Sequence, residues 1–102
     1  MHRLTGQGHP VFVNFTAAWC ITCKVNERVA LATENTRRLF AAHAVVPLVA
    51  DWTRRDPAIT RQLERYGRSG VPLYLLYPPG GEPRVLPQLL TEGIVAAAVE
   101  NL

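Results

Sequence analysis

Two cysteines three residues apart, where an apolar strand runs into a helix, restrict this chain more than any other feature. The stretch is Val11-Phe-Val-Asn-Phe-Thr-Ala-Ala-Trp-Cys-Ile-Thr-Cys-Lys24. Val11 to Phe15 follows Pro10 as a short apolar, β-rich run, the pattern of a central strand. From Cys20 the period becomes helical: Lys24, Glu27 and Arg28 mark a polar side, and Ile21, Val25 and Val29 recur at i, i+4, i+8. Cys20 and Cys23 then share one face of the first turn, at a separation that a disulfide spans. The free N–H groups at a helix start stabilise an anion, so a cysteine there has a lowered pKa, and the thiolate is the species that attacks disulfides. Cys20 reads as the nucleophile, and Cys23, one turn deeper, as the resolving thiol. Two ordinary core cysteines have no reason to take this spacing on a helix start.

The remaining composition narrows the class. A chain of 102 residues, 48% hydrophobic and 19% charged, is one domain with a modest single core. Its longest apolar stretch, Leu39 to Ala50, is interrupted by His43 and Pro47 and is too short to span a bilayer. The amino-terminus has no apolar signal core. Two cysteines make one redox pair, so this is not a disulfide-stapled scaffold. The net charge is +3, but Arg37-Arg38, Arg54-Arg55, Arg61, Arg65 and Arg68 are scattered, which reads as solvated faces and loops. A nucleic-acid surface needs a basic stripe interleaved with exposed aromatics, and none is visible.

Along the chain, Met1 to Pro10 has little pattern; Leu4, Gly6 and Gly8 look like the tail of a truncated element, with His2 and His9 exposed and idle. Ala30 to Thr33 breaks the first helix, and Thr33 is the N-cap of a second that carries Leu39 and Phe40 and ends near His43. Val45 to Asp51 is the second strand, with Pro47 at its start or on a side without a partner. Asp56-Pro57 opens a helix to about Tyr66 that buries Ile59, Leu63 and Tyr66, and Gly67 stops it. Leu73 to Tyr77, the most apolar run, is a central strand; Pro78 to Gly81 turns the chain into a short antiparallel edge strand, Arg84 to Leu86. A final helix opened by Thr91 to Ile94 runs over Ala96 to Leu102. Four strands with helices between them, the first crossover right-handed, predict an α/β fold around a mixed sheet, with the cysteines at the carboxyl end of a central strand.

Trp19-Cys-Ile-Thr-Cys23 after a buried strand, with Gly70-Val-Pro72 about fifty residues later, resembles the thioredoxin superfamily. The nearer resemblance is to the carboxyl-terminal, periplasmic thioredoxin-like domain of the DsbD family of thiol:disulfide interchange proteins. It rests on Phe15 to Glu27, on Ala50-Asp-Trp-Thr-Arg-Arg-Asp-Pro57, on Gly70-Val-Pro-Leu-Tyr-Leu-Leu-Tyr77 and on Leu86-Pro-Gln-Leu-Leu-Thr-Glu92. The resemblance implies a relay: a membrane-embedded domain reduces this one, which reduces an amino-terminal periplasmic domain that supplies disulfide isomerases and cytochrome c maturation factors, so its partners are disulfide-bearing domains of the same protein or periplasmic thiol–disulfide proteins. It implies a four-stranded thioredoxin-like fold lacking the family's first strand and helix, which leaves the Val45–Asp51 strand with an open edge prone to pairing with another copy. No cofactor is called for.

Carried onto this sequence, the resemblance makes Cys20 the attacking and Cys23 the resolving residue. Pro72 matches the family's cis-proline beside the cysteines, with Val71 backbone groups pairing with substrate; without the resemblance, trans is the default. Trp19 packs beside the site or is plain core. Asn14 stands where relatives often have a buried Asp; an amide cannot titrate in this range, and its inward position requires a hydrogen-bond partner. Glu27, on the cysteines' face, is either the remaining base or a surface partner of Lys24. Leu73, where many relatives have Thr, gives the groove a more apolar wall. The rival reading is a soft-metal module in which the thiolates hold Cu(I) or Zn, although His2, His9 and His43 are not spaced to complete a zinc site. A purely structural disulfide fits poorly, because so small a loop adds little stability.

Overall fold

The computed structural model describes residues 8–102. The expectations for His2 and for Leu4 to Gly6 lie outside the described residues. Strand β1 (Val11–Thr16) is the centre of the molecule, with all six residues buried. It pairs in parallel with β2 (Val46–Asp51), Val11 opposite Val46, and antiparallel with β3 (Leu73–Tyr77), Val11 opposite Tyr77. Strand β4 (Arg84–Val85) adds antiparallel to β3, giving the order β2-β1-β3-β4. The two interior strands are apolar without alternation because both faces of the sheet are covered. Only β2 alternates between half-buried and exposed residues, as an edge strand does.

Pro47 sits in β2 without breaking it. The amides of Val46 and Trp52 donate to Pro10 and Thr16, towards β1. Alternation turns position 47 away from β1, where a missing N–H breaks no ladder bond to that strand. Among the described residues no strand pairs with the outer side of β2, and Pro47 shortens the row of donors on that side.

Four helices are found among the described residues. Helix α1 begins as Ile21–Asn26 and continues as a π-helical turn, Glu27–Leu31. The expected break follows, and Thr33 caps α2 (Glu34–Ala42) by accepting from the Thr36 amide at 3.2 Å. Asp56 caps α3 (Pro57–Arg65) through the Ala58 amide at 2.8 Å, with Pro57 in the first turn where no N–H is needed. Gly67 follows with φ +73°, the left-handed geometry that ends a helix cheaply only in glycine. Helix α4 (Glu92–Glu100) begins four residues before the expected Ala96, because Thr91 accepts from the Ile94 amide at 3.1 Å. It ends two residues before Leu102. None of these helices is long and apolar enough to cross a membrane.

The sheet separates two cores. Phe12, Tyr74 and Leu76 meet Phe40, Val95 and Val99 from α2 and α4 on one face. Val13, Phe15, Leu73 and Leu75 meet Trp52 and Leu63 on the other. Strand alternation assigns odd positions of β1 to the second core and Phe12 to the first, so Asn14 falls on the face covered by α1.

Candidate active site

The loop after β1 carries Ala17, Ala18 and Trp19 and delivers Cys20 to the start of α1. Cys20 is the N-cap itself, one position earlier than the expected first turn, with extended backbone (φ −89°, ψ 105°). Its Sγ accepts a hydrogen bond from the Cys23 amide at 3.1 Å, so the sulfur occupies the place a serine or aspartate oxygen takes at other helix starts. The two cysteines are joined as a disulfide with Cα atoms 5.2 Å apart. Cys23 is fully buried and Cys20 retains 7% exposure, so the sulfur nearer the loop is the reachable one. Ala17 and Val71 pack against the pair, and the Val71–Pro72 peptide bond is cis.

A cavity of about 230 Å³ lies between the loop after β1, α1 and the end of β2, lined by Asn14, Thr16, Ala17, Lys24, Glu27, Asp51 and Thr53 among others. The Glu27 carboxylate has partners on both of its oxygens, and the surface pair with Lys24 is present. Oε2 accepts from Thr16 Oγ1 at 2.7 Å and Asn14 Nδ2 at 3.3 Å, while Oε1 faces Lys24 Nζ at 3.4 Å. Asn14 thus finds its expected partner through the amide nitrogen, whereas its buried Oδ1 has none among the described residues.

Trp19 is half-exposed, which excludes the plain-core alternative, and is held from the other side of the loop. Its indole Nε1 donates to the Thr53 carbonyl at 3.1 Å, and Thr53 Oγ1 accepts from the Ala18 amide at 2.8 Å. Asp51 accepts from both the hydroxyl and the amide of Thr53, and these two bonds, the hydroxyl's foremost, hold its carboxyl below the usual carboxylate range. The Arg55 guanidinium carbon lies 5.2 Å from the Trp19 ring and 5.3 Å from the Trp52 ring, so this arginine is not the idle solvated charge the sequence suggested. The Asp-x-Thr turn after β2 was the available signal for this clamp.

Two further expectations are corrected. Leu73 is 1% exposed and packs with Trp52 and Leu63, so it is core and not a groove wall. On α1, the inward positions are Cys23, Asn26 and Ala30. With Cys23 on the buried face, Ile21, Val25 and Val29 are turned to solvent.

Asn26, which sequence reasoning did not single out, is buried. Its Nδ2 donates to Tyr74 Oη at 2.8 Å and to the Gln88 carbonyl at 2.7 Å, and its Oδ1 accepts from the Leu90 amide at 3.1 Å. Burial pushes the Tyr74 phenol above its ordinary pKa, against the opposing effect of the Asn26 donor. His9 and His43 are exposed. Among the described residues no group of three or more His, Cys, Asp or Glu side chains is arranged to hold a metal ion.

A family model described as Thioredoxin-like matches residues 1–79. The chain is 36% identical over 75 residues to the thiol:disulfide interchange protein DsbD 1 of Pseudomonas aeruginosa, covering 74% of this chain and 12% of that protein. It is 32% identical over 77 residues to DsbD of Ralstonia nicotianae, covering 76% and 12%. The match therefore spans about an eighth of either relative. Among solved structures, the reduced carboxyl-terminal domain of Neisseria meningitidis DsbD superimposes with TM-score 0.74 at 22% identity, covering 97% of this chain and 86% of that one. A thioredoxin from Thermus thermophilus gives 0.73 at 19%, covering 96% and 76%. The superpositions show a shared fold, and with the family model spanning most of the sequence, this chain belongs to the thioredoxin-like family.

Proposed function

We propose that this chain is a thiol–disulfide oxidoreductase module that works as a reductase, with Cys20 as nucleophile and Cys23 as resolving thiol. The observation that carries the reading is the Cys20 sulfur at the cap of α1, accepting the Cys23 amide, above a fully buried Cys23. That same N–H and the helix's positive end stabilise a thiolate at Cys20. The thiolate attacks one sulfur of a partner disulfide, forming a mixed disulfide and expelling the partner's other sulfur as a thiolate. Cys23 loses its proton and attacks Cys20 Sγ; the Cys20–Cys23 disulfide forms and the partner leaves with both sulfurs reduced. Two electrons have moved from this chain to the partner, and a dithiol donor must return them.

Glu27, one turn beyond Cys23 and bordering the cavity at the end of β2, is the group assigned to take up the Cys23 proton. Asn14 holds that carboxylate in place and does not titrate. Trp19 shields the disulfide, and Val71 and Pro72 form the wall against which a partner segment lies. The resemblance to DsbD supports a membrane-embedded dithiol domain as donor, disulfide-bearing proteins as acceptors and a periplasmic location. Ile21 and Thr22 place no cation between the cysteines, which favours a reducing couple.

Equilibration in a dithiothreitol redox series, scored by alkylation mass shift, tests the reading. A single reversible two-electron transition near that of thioredoxin, about −270 mV, is expected, and Cys20→Ser abolishes disulfide reduction while Cys23→Ser accumulates the mixed disulfide. Absence of a reversible couple, or thiols that resist alkylation until a chelator is added, refutes it in favour of a metal site.

A further inference from the structure

We propose that the outer face of α1 is a docking strip for a partner segment that carries acidic and apolar side chains next to its disulfide; this rests on the exchange reading above. Trp19, Ile21, Val25 and Val29 are 48%, 80%, 51% and 47% exposed. None of the three aliphatic residues belongs to either core, and the exchange chemistry uses none of them. Four large apolar side chains in one continuous row beside a reactive sulfur form the kind of exposed patch that marks an interaction surface.

The row has a shape and a charge. It borders a groove of about 420 Å³ whose lining includes Cys20, Lys24 and Arg28 and no acidic side chain. Arg28 takes part in no ion pair among the described residues, and Lys24 meets Glu27 only at 3.4 Å, across a half-exposed ammonium. An acidic flank on the partner therefore gains from Arg28 and from the solvent-facing side of the Lys24 ammonium, and a basic flank is repelled. From Cys20 to Val29 the helix advances about 14 Å at 1.5 Å per residue. An extended segment of about four residues covers that distance at ~3.3 Å each. Strand pairing at Val71 fixes the partner next to the sulfurs; the α1 strip reads what lies beyond them.

The test oxidises the reduced chain with three probes and follows tryptophan fluorescence in a stopped-flow instrument. One is a disulfide-looped peptide with Leu and two Glu in the four residues after its second cysteine; another has Lys for Glu; the third is a small aromatic disulfide with no flanks. The acidic peptide should react about tenfold faster than the basic one at low salt, with the gap closing at high ionic strength. Arg28→Glu should narrow or invert the preference. The double variant Val25→Ser/Val29→Ser should slow both peptides about tenfold, the loss of roughly two half-buried methyl pairs, and leave the small disulfide unchanged. Equal rates for the two peptides, or variants that slow the small disulfide as much as the peptides, overturn the proposal. So does binding of the wild type, lost in the double variant, to anionic phospholipid vesicles, since the strip is then a membrane contact. Failure of the small disulfide to react at all is a separate result: it removes the exchange reading, and the docking strip with it.

Discussion

Asn26→Ala is expected to be among the most destabilising substitutions outside the apolar core. Asn26 lies 1% exposed on the inner face of α1 and makes three hydrogen bonds, to Tyr74 Oη, the Gln88 carbonyl and the Leu90 amide. An unpaired buried polar group costs about 1–3 kcal/mol. The Leu90 amide bond is buried and loses its acceptor outright; the bond to Gln88 is only partly buried, so water can replace it at less cost. The sum is about 3–5 kcal/mol, a large part of the roughly 5–15 kcal/mol available to a domain of this size. Tyr74→Phe removes one of the three partners and should cost about 1 kcal/mol. Asn26→Asp keeps the acceptor for Leu90 but replaces both donors with a carboxylate facing the Gln88 oxygen. Burial raises such a carboxyl's folded pKa, so the native state binds more protons than the unfolded one, and the variant loses stability as pH rises above about 4. Urea unfolding of the oxidised protein, read by far-ultraviolet circular dichroism, measures all three. An Asn26→Ala cost below about 1 kcal/mol, or one equal to that of Tyr74→Phe, refutes the reasoning.

Other outcomes follow from the same geometry. Burial, aided by the hydrogen bond with Tyr66, pushes the Tyr77 phenol up to about 12. An unfolded tyrosine ionises near 10, so stability should be intact below that pH and fall between it and about 12; tyrosinate absorbance shows the late titration, and Tyr77→Phe removes it. Thr53→Val should loosen the Trp19 loop, red-shifting tryptophan emission and costing about 1 kcal/mol, while Thr53→Ser retains both oxygen-mediated bonds and the native spectrum. Phe12, whose ring centroid lies 5.5 Å from Phe40 and 6.1 Å from Tyr74, should cost about 3–5 kcal/mol as Phe12→Ala in the same urea assay.

Local chemistry made most of the fold legible. Thr33, Asp56-Pro57 and Gly67 mark helix ends because capping is decided within three or four residues, and all three sit where they were expected. The interior strands declared themselves by continuous apolar runs. The cysteine pair was legible for the same reason, since its chemistry depends on spacing along one turn. Long-range partners were not. Asn26 meets groups 48 to 64 residues away, and Thr53 meets Ala18 across 35. Nothing in the local sequence separates these side chains from ordinary polar surface. The Ile21–Val25–Val29 period was real but its orientation was not readable: periodicity identifies a face, and packing decides where that face points. Leu73 failed similarly, because the residue after Pro72 turns into the Trp52 core and away from the partner's side.

The outward turn of Ile21, Val25 and Val29 has its cause in how α1 is held. A helix on a sheet normally keeps its position by burying an apolar stripe, but over Ile21–Leu31 only Cys23, Asn26 and Ala30 are fully buried. Polar tethers take over that role. Glu27 ties the helix to Asn14 and Thr16 of β1, Asn26 ties it to Tyr74 of β3 and to the loop before α4, and Thr53 ties the loop ahead of Cys20 to the end of β2. Three strands therefore fix the redox helix by direction-specific bonds, which leaves its apolar side chains free to face a partner. The arrangement separates two demands that a stripe-buried helix would set against each other: Cys23 stays covered at the bottom of the first turn, and the surface next to Cys20 stays apolar and open. If the tethers set the helix's position, Asn26→Ala should alter the dithiol–disulfide potential as well as stability, whereas Leu63→Ala, which weakens the core on the other face of the sheet without touching a tether, should lower stability alone. Equal shifts in potential from the two variants, measured in the same dithiothreitol series, would place the control of the site in general core packing.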